Sequence, residues 1–350
     1  MRDLATEFEA ERDHLTAVAY RMLGSRAEAE DVVQETWLRY AAALATPQAR
    51  AEVRDLRGWL TTTAARLSLD VLRSARVRRE TYHGPWLPEP IVDRLPDHAA
   101  QDRTAGFAAD PAERAVRTEQ VGIALLTLFE RLSPEQRVAF VLHDVFAVPF
   151  QQIATTLGTS PAAARQLATR ARRAMAEGGA RRSTDPVEHR RLLSAFLAAA
   201  EAGDLDGLLA VLAPDAVFVG DGGGLFPTVR RPVVGADKVA RLALGLLQRL
   251  TATSAIRNLR TAHVLVNGFP GLQVEADYRR GLSLRGVVWC TVVAGRITGL
   301  YHQVNPEKLT RVPPLDPAGD DGPPLPADEG AGAADGGSPG AGSRLAAQAG

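Results

Sequence analysis

The sequence predicts a multidomain protein, with two all-α domains, the second containing a helix-turn-helix, followed by an α+β domain. Apolar residues recur at helical spacing through residues 5–79 and again through 111–180. Between them, residues 80–110 lose that period and are rich in proline and glycine, as in a linker. After residue 212, short apolar runs separated by turn residues are typical of strands. Helices followed by a separate block of strands favour an α+β arrangement for the last domain.

Length and composition exclude several classes of protein. The 350 residues are 45% apolar and 23% charged, with 41 basic and 41 acidic side chains, as expected of a globular protein. No apolar run approaches the roughly 20 residues that span a bilayer, and the N-terminus lacks a secretory pattern. The single cysteine, Cys290, excludes an internal disulfide, and no Cys/His cluster has the spacing of zinc ligands. We therefore expect a cytoplasmic protein with no membrane contact, no metal site and no cofactor.

An acidic helix is expected from about Ala27 to Leu44 in the first helical segment. Asp31 and Glu35 lie four residues apart on one face, and such a like-charge pair costs a helix a few tenths of a kcal/mol. An acidic face that weakens its own helix indicates a basic partner, with a merely solvated acidic face as the alternative. The residues after Thr46 are predicted to form a loop.

The next helix, from about Leu56 to Arg78, combines hydroxyl, aromatic and basic side chains. Its run of three threonines, residues 61–63, is β-branched and forms helix poorly. An aromatic ring beside arginines offers the stacking surface and phosphate contacts that a melted DNA strand needs. An ordinary amphipathic helix is the alternative. The candidate DNA-binding residues here are Trp59, Thr62, Arg66, Arg73 and Arg76.

A helix-turn-helix is predicted in residues 150–173. Gly158 permits the tight turn, Ser160 caps the second helix, and Pro161 suits that helix's first position. Residues 160–182 carry six arginines against one acidic residue, an excess of positive charge that a phosphate backbone attracts. A helical hairpin with a solvated basic face is the alternative. The candidate DNA-binding residues are Ser160, Ala162, Ala163, Arg165, Gln166, Arg170, Arg172 and Arg173.

The C-terminal domain is predicted to begin with two helices, near residues 187–202 and 205–212. Strands are expected in the runs 216–219, 264–266, 272–280, 284–293 and 297–304, with a further helix near 236–250. The tail, residues 310–350, contains nine glycines and seven prolines and no aromatic residue. Because such a tail buries too little apolar surface to offset chain entropy, we expect it to be disordered.

Taken together and in this order, the three helical motifs resemble those of bacterial RNA polymerase sigma factors of the extracytoplasmic-function type. The resemblance covers the first 180 residues. It implies that the acidic helix binds the clamp of the β′ subunit of core polymerase, through Asp31, Gln34, Glu35 and Leu38. It also implies that the following helix recognises and melts the −10 promoter element, where Trp59, Arg66, Asp70 and Arg73 match the family. The helix-turn-helix is then expected to read the −35 element.

One position departs from the family pattern. Many members carry asparagine directly after the arginine of the −10 helix, where this sequence has Leu67. Base readout at the −10 element is therefore expected to use other groups, and its specificity stays open.

Residues 187–309 resemble the SnoaL-like, cone-shaped fold of the nuclear-transport-factor-2 superfamily. A subgroup of these sigma factors carries that domain as a fused extension, marked by three segments that stand here as Trp86–Pro90, Asp221–Gly224 and Asn305–Leu309. The resemblance implies a regulatory domain that modulates the sigma factor, and we expect the three segments to meet. The expected regulatory contacts are Trp86, Leu87, Pro88, Asp221, Gly222, Gly223, Asn305 and Pro306.

The leading interpretation is a transcription initiation factor, with no catalytic residues, that binds core polymerase and the −35 and −10 elements of promoter DNA. The alternative is a bifunctional protein whose SnoaL-like domain is a small-molecule isomerase or cyclase, or a ligand sensor. Asp221, His263, Tyr301 and His302 are the groups available for acid–base chemistry. Tyr301 and His302 are consecutive in a predicted strand, so only one of them can face a cavity. Catalysis is therefore the less favoured interpretation.

Overall fold

A computed structural model describes residues 4–79, 82, 84–94, 123–177, 185–226, 228–252, 256–278 and 283–315. These residues form two helical domains followed by a sheet-rich domain, as the sequence predicted. The rest of the predicted linker, most of the predicted tail and the side chain of Arg76 lie outside the described part. No helix within the described ranges has both the length and the apolar character needed to cross a bilayer.

The first helical domain, residues 4–79, consists of four helices. They are α1 (Leu4–Leu23), α2 (Arg26–Ala43), α3 (Pro47–Glu52) and α4 (Leu56–Arg79). The short helix α3 stands where a loop was predicted. The Thr46 side chain accepts a hydrogen bond from the backbone N–H of Ala49 (3.3 Å), and Pro47 occupies the first helical position, so this segment carries its own start signal.

The second helical domain, residues 123–177, contains the predicted helix-turn-helix. Its helices are α5 (Ile123–Phe129), α6 (Pro134–Phe140) with a π-helical turn (Val141–Val145), α7 (Phe150–Leu157) and α8 (Pro161–Glu177). Gly158 ends α7 in the left-handed conformation at φ 63°. The Ser160 hydroxyl accepts a hydrogen bond from the backbone N–H of Ala163 at 3.1 Å, which caps α8. The turn predicted at Gly158 and the helix cap predicted at Ser160 are therefore both present in the structure.

The two helical domains share one hydrophobic core. Arg137, only 3% exposed, stands at their boundary and donates hydrogen bonds to the backbone carbonyls of Met22 (2.9 Å) and Phe129 (3.1 Å). Its guanidinium also pairs with Glu130 at 2.7 Å, so the buried charge is compensated. The domains are thus packed against each other rather than tethered by the linker alone.

The C-terminal domain packs three helices against a sheet. The helices are α9 (Pro186–Glu201), α10 (Leu205–Val211) and α11 (Ala236–Ala252). Six of the strands come from this domain: β2 (Leu212–Asp221), β3 (Val233–Val234), β4 (Ile256–Val266), β5 (Phe269–Tyr278), β6 (Ser283–Val293) and β7 (Arg296–Gln303). With β1 (Val92–Arg94) from the linker included, the strand order is β1-β4-β5-β6-β7-β2-β3. Strand β2 runs parallel to β7, and the other neighbours are antiparallel.

The seventh strand comes from the linker. Strand β1 (Val92–Arg94) pairs antiparallel with β4, with Val92 opposite Val266. The sequence predicted no strand in residues 80–110, because three residues are too few to show an alternating pattern. This strand exists because β4 offers it an unpaired edge.

The sheet has two differently covered faces. One packs on α9, α10 and α11 through residues such as Phe196, Phe218 and Leu300. The other carries Trp289 and Tyr301 and is covered by Leu87 of the linker and by residues that follow β7. Both faces are therefore buried, one by the domain's own helices and the other by segments from elsewhere in the chain.

The chain remains ordered beyond the predicted boundary at residue 310. Val312 is 3% exposed and packs in the apolar cluster on the sheet, and Leu315 is 5% exposed. The prediction of disorder for 310–350 is therefore wrong for residues 310–315. The average composition of residues 310–350 did not show that apolar residues recur at every third position where the chain enters the tail, at Leu309, Val312 and Leu315.

Candidate functional site

Helix α2 buries one face and exposes the predicted polymerase-binding face. Val32, Val33 and Thr36 are buried, which turns the opposite residues outward. The four predicted residues lie on that outer side: Asp31, Gln34, Glu35 and Leu38. Leu38 is 60% exposed, so this outer face carries an apolar side chain beside its charged ones. Glu35 pairs with Arg39 at 2.9 Å, an exposed i,i+4 ion pair.

Helix α4 places two of the predicted −10 side chains, Trp59 and Arg66, in the lining of an open cavity of about 520 Å³. The predicted Thr62 is half-buried and does not line this cavity, whereas its neighbour Thr63 does. The full lining is Arg39, Ala42, Ala43, Trp59, Thr63 and Arg66. The contribution of α2 was not predictable from the sequence, because no local pattern relates the end of α2 to α4. The cavity joins an aromatic ring to two guanidinium groups, which suits an unstacked base and its phosphate.

Leu67, the position that departs from the family, points into the core. It is 9% exposed and belongs to the hydrophobic core of the helical domains. A residue buried there cannot contact a base in this arrangement. The groups at the cavity are therefore the candidates for −10 readout.

Two predicted −10 arginines bind the second helical domain. Arg66 donates a hydrogen bond to the backbone carbonyl of Thr155 in α7 at 2.8 Å. Arg73 pairs with Glu135 in α6 at 3.0 Å. The side chains proposed for DNA are thus engaged by the domain that carries the helix-turn-helix.

Helix α8 presents an arginine-rich outer face. Ala164, Ala168 and Ala171 are fully buried against the rest of the domain. The predicted residues on the outer side are Ser160, Ala162, Arg165, Gln166, Arg170, Arg172 and Arg173, with Ala163 half-buried. The Arg165 guanidinium lies 5.2 Å from the centroid of the Phe150 ring, which holds it over the start of α7. Arg172 is paired with Asp144 at 2.6 Å.

The three segments expected to meet do come together around one carboxylate. Asp221 is fully buried and accepts hydrogen bonds from the Tyr82 hydroxyl (2.6 Å) and the Leu87 backbone N–H (2.8 Å). Lys308 Nζ lies 2.7 Å from the same carboxylate and 2.7 Å from the Leu87 carbonyl. Gln303 Nε2 is a further, longer donor at 3.4 Å. We call these five residues the Asp221 cluster.

Burial beside the Asp221 carboxylate raises the pKa of the Tyr82 hydroxyl, so that it stays a hydrogen-bond donor. Three cluster members, Tyr82, Gln303 and Lys308, were not among the contacts predicted from the sequence. The late Asn-Pro-Glu-Lys-Leu segment had suggested a contact but not that its lysine would be the partner of Asp221.

The glycine loop and Asn305 fit closely together. Asn305 is 1% exposed and donates to the Tyr82 hydroxyl at 3.0 Å. A Cβ added at Gly223 would lie 2.5 Å from Asn305, so only glycine fits there. Gly222 is equally constrained, because its Cβ would lie 2.2 Å from the Phe226 carbonyl oxygen. Pro306 is exposed at the start of a 3₁₀ turn (Pro306–Lys308).

The linker also binds the first helical domain. Trp86 packs against Gly24, the turn residue between α1 and α2, where an added Cβ would lie 3.0 Å from the ring. On its other side, Lys308 Nζ lies 4.1 Å from the centroid of the Trp86 ring. The buried Glu89 accepts a hydrogen bond from the Arg26 backbone N–H at 2.7 Å, at the start of α2. Pro88 is buried between these contacts.

A second group of hydrogen bonds joins the first helical domain, the linker and the C-terminal domain. Asn267, in the β4–β5 turn, donates to the Tyr20 hydroxyl of α1 at 2.8 Å and accepts from the Ile91 backbone N–H at 3.1 Å. Tyr20 in turn donates to the Glu89 carbonyl at 2.9 Å. The sequence marked Asn267 only as a turn residue.

The residues considered for catalysis do not assemble into an acid–base pair. Asp221 and Tyr301 belong to the sheet face covered by the linker. His302 lies on the other face, where its ring meets Phe218 at 6.5 Å, and burial lowers its pKa to about 4. His263 alternates with Val264 on β4, and it too lies away from Asp221. Among these residues, no carboxylate is placed beside a histidine.

Comparison with known proteins agrees with the geometry. Residues 8–78 match the Sigma-70 region 2 family, and residues 123–175 match Sigma-70, region 4. The chain is 45% identical over 313 residues to ECF RNA polymerase sigma factor SigJ of Mycobacterium tuberculosis, covering 88% of this chain and 94% of SigJ. Probable ECF RNA polymerase sigma factor SigI of the same organism is 36% identical over 307 residues, covering 87% of this chain and 94% of SigI.

One solved sigma-factor structure shows the same similarity. The crystal structure of the Mycobacterium tuberculosis extracytoplasmic function sigma factor SigJ matches with a TM-score of 0.66 and 40% identity, covering 87% of this chain and 98% of that one. An NTF2-like protein of unknown function from Mesorhizobium loti matches with a TM-score of 0.25 and 16% identity, over 35% of this chain and 95% of that one.

Proposed function

This chain belongs to the extracytoplasmic-function family of RNA polymerase sigma factors, and we propose that it binds core polymerase through α2 and promoter DNA through α4 and α8. Sigma factors bind RNA polymerase and promoter DNA, and this protein is one of them. The assignment of individual residues to these partners is our proposal. It is supported by the surfaces described above.

The outer face of α2 has the character of a protein interface. Leu38 supplies an exposed apolar side chain, and Asp31 and Glu35 supply negative charge beside it. An apolar anchor within a charged rim suits association with a basic surface, because complementary charge speeds docking and excludes other partners. We assign this face to the clamp of the β′ subunit.

The cavity between α2 and α4 supports the assignment to the −10 element. Trp59 offers a ring for stacking, and Arg39 and Arg66 offer positive charge at its mouth. Such a combination holds a single strand without requiring a duplex groove. Helix α8, with exposed Arg165, Gln166 and Arg170, is better suited to a major groove and hence to the −35 element.

The observation that carries the regulatory part of the proposal is the hydrogen bond from Arg66 to Thr155. The N–H group that Arg66 donates to Thr155 is not available to a melted strand at the same time. We infer that the structure is a closed state, held by the linker and the C-terminal domain, and that DNA binding requires the helical domains to separate. The Asp221 cluster supports this, since the buried Asp221–Lys308 ion pair of the C-terminal domain holds the linker through hydrogen bonds to Tyr82 and Leu87.

The polymerase assignment is tested by charge reversal on α2. The variant Asp31→Lys with Glu35→Lys should bind core polymerase about 10-fold or more weakly, because it presents like charge to a basic partner. The fold should be unaffected, since both side chains lie outside the core. Affinity is measured with full-length protein and purified core polymerase, and transcription is measured on a pre-melted promoter.

The matched control reverses two exposed acids of the C-terminal domain, Asp206→Lys with Asp215→Lys, which also lie outside the core. This variant should bind like the parent. Parental affinity in the α2 variant would show that α2 is not the polymerase-binding surface.

A further inference from the structure

The residues after the last strand form a structured strap, residues 309–315, which we call the C-terminal clasp. Leu309, Val312 and Leu315 are 2%, 3% and 5% exposed. Leu309 and Val312 belong to the apolar cluster that contains Trp289 and Tyr301. The clasp therefore covers the same face of the sheet as the linker does.

The backbone of the clasp is held by side chains from two parts of the chain. Arg285 of β6 donates to the Val312 carbonyl at 2.6 Å, and Gln273 of β5 donates to the Pro313 carbonyl at 2.8 Å. Arg94 of strand β1 donates to the Pro314 carbonyl. Three successive carbonyl groups are thus satisfied by the sheet and its linker strand.

The clasp also reaches the first helical domain. Arg311 forms a two-pronged ion pair with Glu30 of α2. This contact lowers the pKa of the Glu30 carboxyl, mainly through the hydrogen bond from Arg311, so the pair stays charged at neutral pH. Glu30 lies four residues before Gln34 and eight before Leu38, so the three share one stripe of α2.

We propose that the clasp and RNA polymerase compete for this stripe of α2. The inference rests on the proposed polymerase-binding role of α2 and adds a coupling to it. Arg311 neutralises one acid of the stripe and places a positive charge where a basic partner would approach. Docking of polymerase therefore has to displace Arg311.

Polymerase binding to α2 and anchoring of the clasp on Glu30 weaken each other equally, because the free-energy coupling between two binding events is reciprocal. A clasp anchored on Glu30 weakens polymerase binding, and bound polymerase weakens the anchoring of the clasp. Since the clasp covers the same sheet face as Leu87 of the linker, its release loosens the cover that holds the closed state. Polymerase docking on α2 is thereby linked to opening of the helical domains.

The test removes the positively charged side chain of Arg311. Arg311→Ala should bind core polymerase roughly 3- to 5-fold more tightly, because an exposed ion pair contributes at most about 1 kcal/mol. The control is Arg241→Ala, which removes the arginine of an exposed pair with Asp237 on α11, far along the chain from α2. It should leave the affinity unchanged. Parental or weaker polymerase binding by Arg311→Ala overturns the proposal.

A second measurement follows the clasp itself. The Val312 backbone N–H donates to the Leu309 carbonyl at 3.1 Å, so its hydrogen exchange reports clasp order. Saturating core polymerase should accelerate this exchange in the parent protein. Unchanged or slower exchange in the complex contradicts the competition.

One more variant separates this inference from the proposed function. Leu38→Ala should weaken polymerase binding whether or not the clasp competes. If Leu38→Ala binds more weakly while Arg311→Ala binds like the parent, only the clasp inference fails. If Leu38→Ala binds like the parent, the assignment of α2 fails and the competition with it.

Discussion

Arg66 of α4 donates a 2.8 Å hydrogen bond to the backbone carbonyl of Thr155 in the first helix of the helix-turn-helix. The bond spans 89 positions of the sequence and joins the two domains proposed to read different promoter elements. Because the acceptor is a backbone carbonyl, side-chain substitution at residue 155 cannot remove it. The contact is thus a property of how the two helical domains pack against each other.

Asp221→Asn is expected to destabilise the protein strongly. The change removes the carboxylate that pairs with Lys308 in a buried setting, and breaking such a pair typically costs 3–5 kcal/mol, so we expect a loss of about 3 kcal/mol in unfolding free energy. Urea unfolding followed by tryptophan fluorescence measures it. Asp237→Asn, in the exposed pair with Arg241, should leave the unfolding free energy nearly unchanged, because solvent screens that pair. Equal costs for the two variants would contradict the importance of the Asp221 cluster.

Gly24→Ala is expected to loosen the linker as well as strain the backbone. Gly24 has φ 71°, and its added Cβ would lie 3.0 Å from Trp86. The matched control is Gly203→Ala, at φ 70° with open space around the Cβ position, which should cost roughly 1–2 kcal/mol from backbone strain alone. Thermal unfolding should show a larger loss for Gly24→Ala. If the two losses are equal, Trp86 does not press on this turn.

The two kinds of arginine on α8 should respond differently to substitution. Arg165→Ala should cost roughly 1–3 kcal/mol of promoter affinity and relax specificity at one position, since this residue is near the helix N-terminus. Arg170→Ala should weaken all sequences alike and reduce the salt dependence by about one unit of slope. Binding of holoenzyme to promoter variants at several salt concentrations checks both. Sequence-independent losses of the same size for the two variants would reject this division.

Acid should weaken the contact between the helical domains at His14. Its ring packs edge-on against Phe146 at 5.4 Å, and burial together with Arg57 and Arg21 lowers its pKa to about 4. The unfolded chain takes up a proton near pH 6.5 and the folded chain only near 4, so this contribution to stability is present above about 6.5 and is lost as the pH falls toward 4.

His14→Gln, which cannot ionise, should therefore lose less stability than the parent between pH 7 and pH 5. Urea midpoints at the two pH values provide the comparison within each protein. The same loss in both would mean that His14 is protonated as readily in the folded chain as in the unfolded one.

The helices and most strands were predictable because their signals are local. The cap at Ser160 and the turn at Gly158 specify the helix-turn-helix wherever the chain folds. Strand β1 was not predictable, since its pairing with β4 depends on residues 170 to 174 positions away. The same is true of Lys308, whose partner Asp221 lies 87 positions earlier in the sequence.

In the candidate site, too, some features follow from local sequence patterns and others only from contacts between distant residues. The exposed face of α2 and the arginines of α8 follow from helical periodicity. The contribution of Arg39 to the α4 cavity, and the engagement of Arg66 by Thr155, follow only from packing between helices. Sequence patterns therefore predicted candidate binding surfaces, whereas the structure was needed to see that Arg66 and Arg73 of α4 contact the second helical domain.

Because strand β1 belongs to the same chain as the sheet it completes, the proposed closed fraction should not depend on the concentration of the protein. The strand that completes the C-terminal sheet leads directly from the linker between the helical domains, so the restraining element and what it restrains are always present one to one. Closing is a unimolecular step governed by effective concentration within the chain. Dilution during cell growth, or synthesis in excess, would leave the fraction of closed molecules unchanged. Only an agent that distinguishes the open from the closed form, such as a partner or a ligand, can shift that fraction.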